Sequence, residues 1–249
     1  MTKNLLLISN STNAGENYLS WPKPYLANFL RKFSVRTVLF VPYAGVNLSS
    51  EGITASYDAY VTKVRPVFEE MGIGLESVHQ AQDPRIAVKK AECIVVGGGN
   101  TFHLVKAMYD TGIMGMTGDR AAQGIPFIGW SAGANVACPT MKTTNDMPIS
   151  EPYSFNTLGL VPFQINPHYL DANPSGHAGE TREQRIMEFL AVNRKTTVVG
   201  LREGCLLWIE GHSIEMKGHR PLRVFRYGIQ PQEFQEGDPI DFLLEEPSK

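Results

Sequence analysis

Short runs of leucine and β-branched residues recur at positions 5–8, 37–41, 93–96, 126–128 and 197–201, apolar on both faces instead of alternating. Strands of that kind must be covered from both sides, and the segments between most of them read as helices. The pattern therefore predicts an α/β fold, a mostly parallel sheet flanked by helices. Tyr57, Val61, Val64 and Phe68 keep a helical spacing, as do Ile186, Phe189 and Leu190 in the run that begins at Thr181. These are core-facing stripes, with Pro66 a candidate kink in the first. After Leu201 the pattern changes to close-set strands at 205–209, 213–216 and 222–226, with Gly211 and Gly218 at the turns. That spacing suggests antiparallel strands at a sheet edge. No repeat or linker divides the chain, so residues 1–229 are read as one α/β hydrolytic domain. Residues 230–249, rich in Pro, Gln and Glu, are read as a loose C-terminal tail.

Composition narrows the function. The 249 residues carry 23 basic and 25 acidic side chains, a net charge of -2, which leaves no global attraction for nucleic acid or an anionic membrane. Three widely spaced cysteines, Cys93, Cys138 and Cys205, form no CxxC pair and read as reduced thiols of a cytoplasmic protein. The opening apolar run ends at Ser9, Asn10, Ser11 and Thr12, too short for a secretory or membrane segment.

Gly129-Trp130-Ser131-Ala132-Gly133 follows the run at 126–128 and precedes small residues that can start a helix. This is the G-x-S-x-G pattern of a nucleophile elbow, in which a tight strand-to-helix turn exposes the serine hydroxyl. A serine nucleophile needs a base, and the base an orienting acid. His168 follows Asn166-Pro167, where proline holds the preceding residue extended and suits a side chain at a strand end. His79 and His103 have local structural explanations, and His177, His212 and His219 lie near glycines in surface turns. Two acids compete for the third role. Glu203 follows the run at 197–201, one βα length beyond His168, whereas Asp146 lies in the polar loop Thr143-Thr144-Asn145-Asp146. Asp146 has a second reading, as the anion that holds a cationic substrate group.

Gly97-Gly98-Gly99-Asn100-Thr101 also follows a strand, but Phe102 stands where a dinucleotide fingerprint needs its last glycine. The amides of Gly98 and Gly99, with that of Ala132, are candidates for an oxyanion hole, and Asn100 for a substrate contact. Thr181 and Gln184 match a capping box. That puts Arg182 in the first turn, where a helix dipole disfavours a cation unless an anion joins it.

The runs Gly-Gly-Gly-Asn-Thr-Phe, Gly-Trp-Ser-Ala-Gly-Ala-Asn, Thr-Thr-Asn-Asp-Met-Pro-Ile, Gln-Ile-Asn-Pro-His and Gly-Glu-Thr-Arg-Glu-Gln-Arg occur in that order. Together they resemble the serine peptidase S51 class, the peptidase E family of α-aspartyl dipeptidases. The resemblance extends from Leu5 to about Ile209. It implies a fold like the class I glutamine amidotransferases and hydrolysis of dipeptides with an N-terminal aspartate. It also implies no metal or cofactor, and a cytoplasmic setting with a small acidic dipeptide as partner. Motif by motif it makes Ser131 the nucleophile, His168 the base, Glu203 the triad acid and Asp146 a second carboxylate required for activity. Amidotransferases carry cysteine at the elbow, which Ser131 replaces here. A homodimer is the one assembly left open. A related hydrolase acting on another aspartyl amide or an ester, and a silent binding protein for an acidic metabolite, are the competing readings.

Overall fold

Leu5, Leu6, Leu7 and Ile8 are each 0% exposed, because the strand they form has a covered layer on either side. Odd and even positions feed two different cores. Leu5 and Leu7 pack with Leu39, Val41, Ile94 and Val96, while Leu6 and Ile8 pack with Val38, Phe40, Val95 and Ile128. In this computed structural model, which describes residues 2–172, 176 and 178–245, the elements follow one another as strand–helix units. They are β1 (Asn4–Ile8), α1 (Lys23–Lys32), β2 (Thr37–Val41), α2 (Ile53–Glu69), β3 (Gly74–Ser77), α3 (Pro84–Lys90), β4 (Ile94–Val96), α4 (Thr101–Asp110), α5 (Met114–Ala122), β5 (Phe127–Trp130) and α6 (Ala132–Asn135). The second part contributes β6 (Gln164–Asn166), α7 (Arg182–Val192), β7 (Val198–Gly200), β8 (Cys205–Glu210), β9 (Ser213–Gly218), β10 (Leu222–Arg226) and β11 (Ile229–Phe234).

The seven-stranded main sheet runs β3-β2-β4-β5-β1-β8-β9. Its first five strands pair in parallel, and β8 and β9 add to it antiparallel. The fold is thus α/β with a mostly parallel central sheet. The close-set C-terminal strands are antiparallel as expected, but they do not share one edge. β10 and β11 leave the main sheet and join β7 and β6 in a second sheet of order β11-β10-β7-β6. The reason is burial: Leu222 and Val224 pack into the main core, while Phe225 on the opposite face packs with Tyr169, Ile186 and Leu190 under α7.

Pro66 lies in the last turn of α2, which continues through it to Glu69. One local expectation is corrected. Of the segment read as a loose tail, residues 230–245 instead hold most of β11 and a 3-10 turn at Asp241–Leu244, with Ile240 and Leu243 1% and 3% exposed, while 246–249 lie outside the described residues. The capping box forms as read, with Thr181 accepting from the Gln184 amide and Gln184 from the Thr181 amide.

Candidate active site

β5 ends at Trp130, and the chain turns straight into α6 with Ser131 at φ 54°. For a residue with a side chain this backbone is sparsely populated, at a cost of roughly 1–3 kcal/mol. The surrounding structure holds it: Ser131 N–H donates to the Ile8 carbonyl at 3.0 Å, and its own carbonyl accepts from Ala134 and Asn135. A Cβ on Gly133 would sit 2.1 Å from the Val96 carbonyl oxygen, so only glycine lets the turn close against β4. The hydroxyl therefore stands at the C-terminal ends of the parallel strands, where open α/β sheets form their clefts.

His168 and Glu203 come from the second sheet. β6 and β7 pair in parallel with Asn166 opposite Gly200, and the chain leaves them through Pro167-His168 and Arg202-Glu203. His168 Nδ1 lies 2.8 Å from Glu203 Oε1, and His168 Nε2 lies 2.9 Å from Ser131 Oγ. The tautomer that fits both contacts carries its proton on Nδ1, leaving Nε2 to accept from the serine. The His168 and Glu203 side chains are 39% and 40% exposed, open to an arriving substrate. Of the two competing acids, the geometry joins Glu203 to His168.

Asp146 is occupied elsewhere. Its Oδ2 accepts from Thr101 N–H at 2.7 Å, Thr101 Oγ1 at 2.6 Å and Thr144 Oγ1 at 3.0 Å, so it closes the N-terminus of α4. Asn100 caps the same helix, accepting from His103 N–H at 3.0 Å, and its amide donates to the Met147 carbonyl at 2.8 Å. Its side chain thus braces the loop that carries Asp146, and Asn100 also lines a cavity that opens onto Ser131. Arg182, at the first position of α7, donates to Asn145 Oδ1. Burial, with help from Arg185, holds its guanidinium below its ordinary pKa, and no described carboxylate pairs with it.

Gly99 takes φ 134°, and a Cβ there would lie 2.1 Å from the Ala44 carbonyl oxygen, which fixes glycine at this turn. A Cβ on Gly98 would come within 2.9 Å of Ser131 Cβ. The amides of Gly98, Gly99 and Ala132 donate to no acceptor among the described residues and flank the serine. Two cavities meet at Ser131 and His168. The larger, about 420 Å³, is lined by Gly98, Gly99, Tyr60 and Lys63 among others, and the smaller, about 230 Å³, by Asp146, Arg182, Ala132 and Glu203.

Sequence reasoning passed over Ser9 and Asn10, which it took only as the end of β1. Both are fully buried. Ser9 Oγ accepts from His168 N–H at 3.0 Å and donates to the Leu201 carbonyl at 2.7 Å, and Asn10 Oδ1 accepts from Gly204 N–H at 2.9 Å. They stitch the histidine and glutamate loops to the main sheet. Polar residues directly after a fully apolar strand were the available signal. Among the described residues no group of three or more His, Cys, Asp or Glu converges as metal ligands would.

A serine on a strand-to-helix turn, met by a histidine–carboxylate pair on an α/β scaffold, is the apparatus of a serine hydrolase. The profile of Peptidase family S51 matches residues 5–217. Peptidase E of Nostoc sp. is 48% identical over 248 residues, covering 100% of this chain and 99% of that one. Peptidase E of Streptomyces coelicolor is 45% identical, covering 97% and 95%. The crystal structure of a peptidase from an acI-B1 Actinobacterium shares the fold with a TM-score of 0.66 at 15% identity, covering 96% of this chain and 97% of that one. The chain belongs to peptidase family S51 and is a serine-type peptidase. Among the described residues no helix is long and apolar enough to cross a membrane.

Proposed function

We propose that the chain cleaves dipeptides after an N-terminal aspartate, through an acyl-enzyme on Ser131. The observation that carries this is the smaller cavity, where Asp146 and Arg182 line one wall system with Ser131, His168 and Glu203. An N-terminal aspartyl residue presents an ammonium and a β-carboxylate on adjacent carbons, and such a pair calls for one anion and one cation close together. Asp146 faces the ammonium with the oxygen its helix contacts leave free. Arg182 takes the carboxylate, its planar fork suited to two parallel hydrogen bonds and the α7 dipole adding to the attraction.

In the reaction, His168 Nε2 takes the Ser131 proton as Oγ bonds to the scissile carbon. The oxyanion forms against the amides of Gly98, Gly99 and Ala132. Glu203 stabilises the imidazolium and holds its orientation. His168 then returns the proton to the leaving nitrogen as the C–N bond breaks, and a water repeats the sequence to release aspartate. A cytoplasmic setting is part of the proposal, supported by three buried, unpaired cysteines. So is a homodimer, supported by Met147, Ile149, Tyr153 and Phe155, large apolar residues exposed together in one loop.

The test is kcat/KM across Asp-Leu, Asn-Leu, Glu-Leu, β-Asp-Leu and a simple ester, in wild type and Arg182→Ala. Asp-Leu is expected to lead. Losing the partner of a desolvated carboxylate costs about 2–5 kcal/mol, so Arg182→Ala lowers its kcat/KM roughly 30-fold to several thousandfold, with a much smaller loss on Asn-Leu. Equal losses on both would take Arg182 out of recognition.

A further inference from the structure

The larger cavity opens onto the same Ser131 and His168 but shares neither Asp146 nor Arg182 with the smaller one. Its aromatic lining is already hydrogen-bonded within itself. Tyr18 OH donates to Tyr60 OH at 3.2 Å, Trp130 Nε1 to Tyr60 OH at 3.1 Å, and Tyr60 OH to the Gly98 carbonyl at 2.9 Å. With those polar ends spent on one another, the rings offer an apolar surface. Lys63, on α2, is the only Lys, Arg, Asp or Glu along this cavity among the described residues. Its Nζ stands 4.2 Å from the centre of the Tyr18 ring, and no described carboxylate lies within ion-pair distance of it. An aromatic face steadies a cation without neutralising it.

A peptide whose aspartyl residue fills the smaller cavity sends its next residue, the leaving group, into the larger one. In a dipeptide that residue ends in a free α-carboxylate three backbone bonds from the scissile carbon. In any longer peptide a neutral amide takes its place. We propose that the larger cavity is the leaving-residue subsite and that Lys63 binds the free α-carboxylate there, selecting dipeptides over longer chains. The proposal rests on the aspartyl dipeptidase reading and extends it to the far side of the scissile bond.

The experiment compares kcat/KM for Asp-Leu with that for Asn-Leu, Asp-Leu-amide and Asp-Leu-Gly, in wild type, Lys63→Met and Lys63→Arg, at low and moderate salt. Lys63 is exposed, so the variants are expected to fold, which circular dichroism checks. Wild type should favour Asp-Leu over its amide about tenfold, the size of one charge-assisted hydrogen bond in partial contact with water. Lys63→Met should erase that preference, chiefly by raising KM for Asp-Leu, while Lys63→Arg keeps most of it and added salt weakens it. An unchanged preference in Lys63→Met, with Asp-Leu still cleaved, overturns this assignment alone. A loss instead of the preference for Asp-Leu over Asn-Leu overturns it by moving Lys63 to the aspartyl side chain. Failure of wild type to cleave Asp-Leu overturns the underlying reading and this one with it.

Discussion

Ser131 at φ 54° and His168 at φ 52° are two of the few residues with a side chain in the left-handed region, and they face each other at 2.9 Å. Strain at both ends of one hydrogen bond fits a contact that the fold imposes for chemistry. In the proposed reaction nucleophile and base act as a unit, so Ser131→Ala and His168→Ala should each remove most turnover, and the double variant should be scarcely slower than either. Additive losses in kcat would show that the two do not work together. Glu203→Gln should lower kcat by a factor on the order of 10⁴, because an amide favours the wrong imidazole tautomer and cannot stabilise its cation. Asp146→Asn should act mainly on KM, and it should also cost about 0.5–2 kcal/mol of stability through its role at the start of α4. Steady-state kinetics beside thermal melts separate these effects. A Glu203 variant near wild type, with kcat lost at Asp146, would exchange the two acids.

The loops that carry His168 and Glu203 are tied together one element behind the site. Arg202, which precedes Glu203, is 8% exposed. Its guanidinium donates to Glu233 on β11 at 2.7 and 2.8 Å, to Asp171 at 2.8 Å from Nε, and to the Pro221 carbonyl at 2.7 Å. Asp171 lies three residues after His168, so this one side chain links the His168 and Glu203 loops to the C-terminal hairpin. Replacing Arg202 with Met leaves two carboxylates facing each other. A loss of about 1–3 kcal/mol is expected, discounted because both acids are about half exposed, together with a lower kcat. The Arg202 hydrogen bonds hold the Asp171 carboxyl below its usual pKa. A depressed folded pKa means that this contribution is complete above the ordinary carboxylate range and is lost as pH falls through the lower folded value. Melting temperatures of wild type and Arg202→Met should therefore differ at neutrality and converge below about pH 4. A constant gap across that range would mean that Asp171 contributes nothing.

At the scale of the whole molecule, the C-terminal residues act as a seam between the sheets. Ile214 N–H donates to Asp241 Oδ1 at 2.8 Å, Phe234 and Phe242 rings lie 5.4 Å apart, and Leu243 is buried in the main core. Leu243→Ala should cost about 2–4 kcal/mol and lower Tm by roughly 5–15 °C. A change within about 0.5 kcal/mol, as at an exposed site, would restore the reading of a loose tail. That reading failed because β11 alternates too weakly to announce itself: its partner is β10, and pairing with a neighbour supplies what periodicity lacks. The parallel strands, the elbow at Ser131 and the capping box before Arg182 were legible in the chain, since each depends on residues close in sequence. Spacing could rank Glu203 and Asp146 but not choose between them. That choice belongs to the pairing of β6 with β7, which brings Glu203 within 2.8 Å of His168 while α4 draws Asp146 to its N-terminus. The tasks of Ser9, Asn10 and Arg202, and the division of the cleft into two cavities, likewise join positions far apart in the chain. Local sequence determined the elements and the nucleophile's turn because short-range sterics and hydrogen bonds act within a few residues. Only the packing of one sheet against the other decided which acid, which cation and which loop meet at the serine.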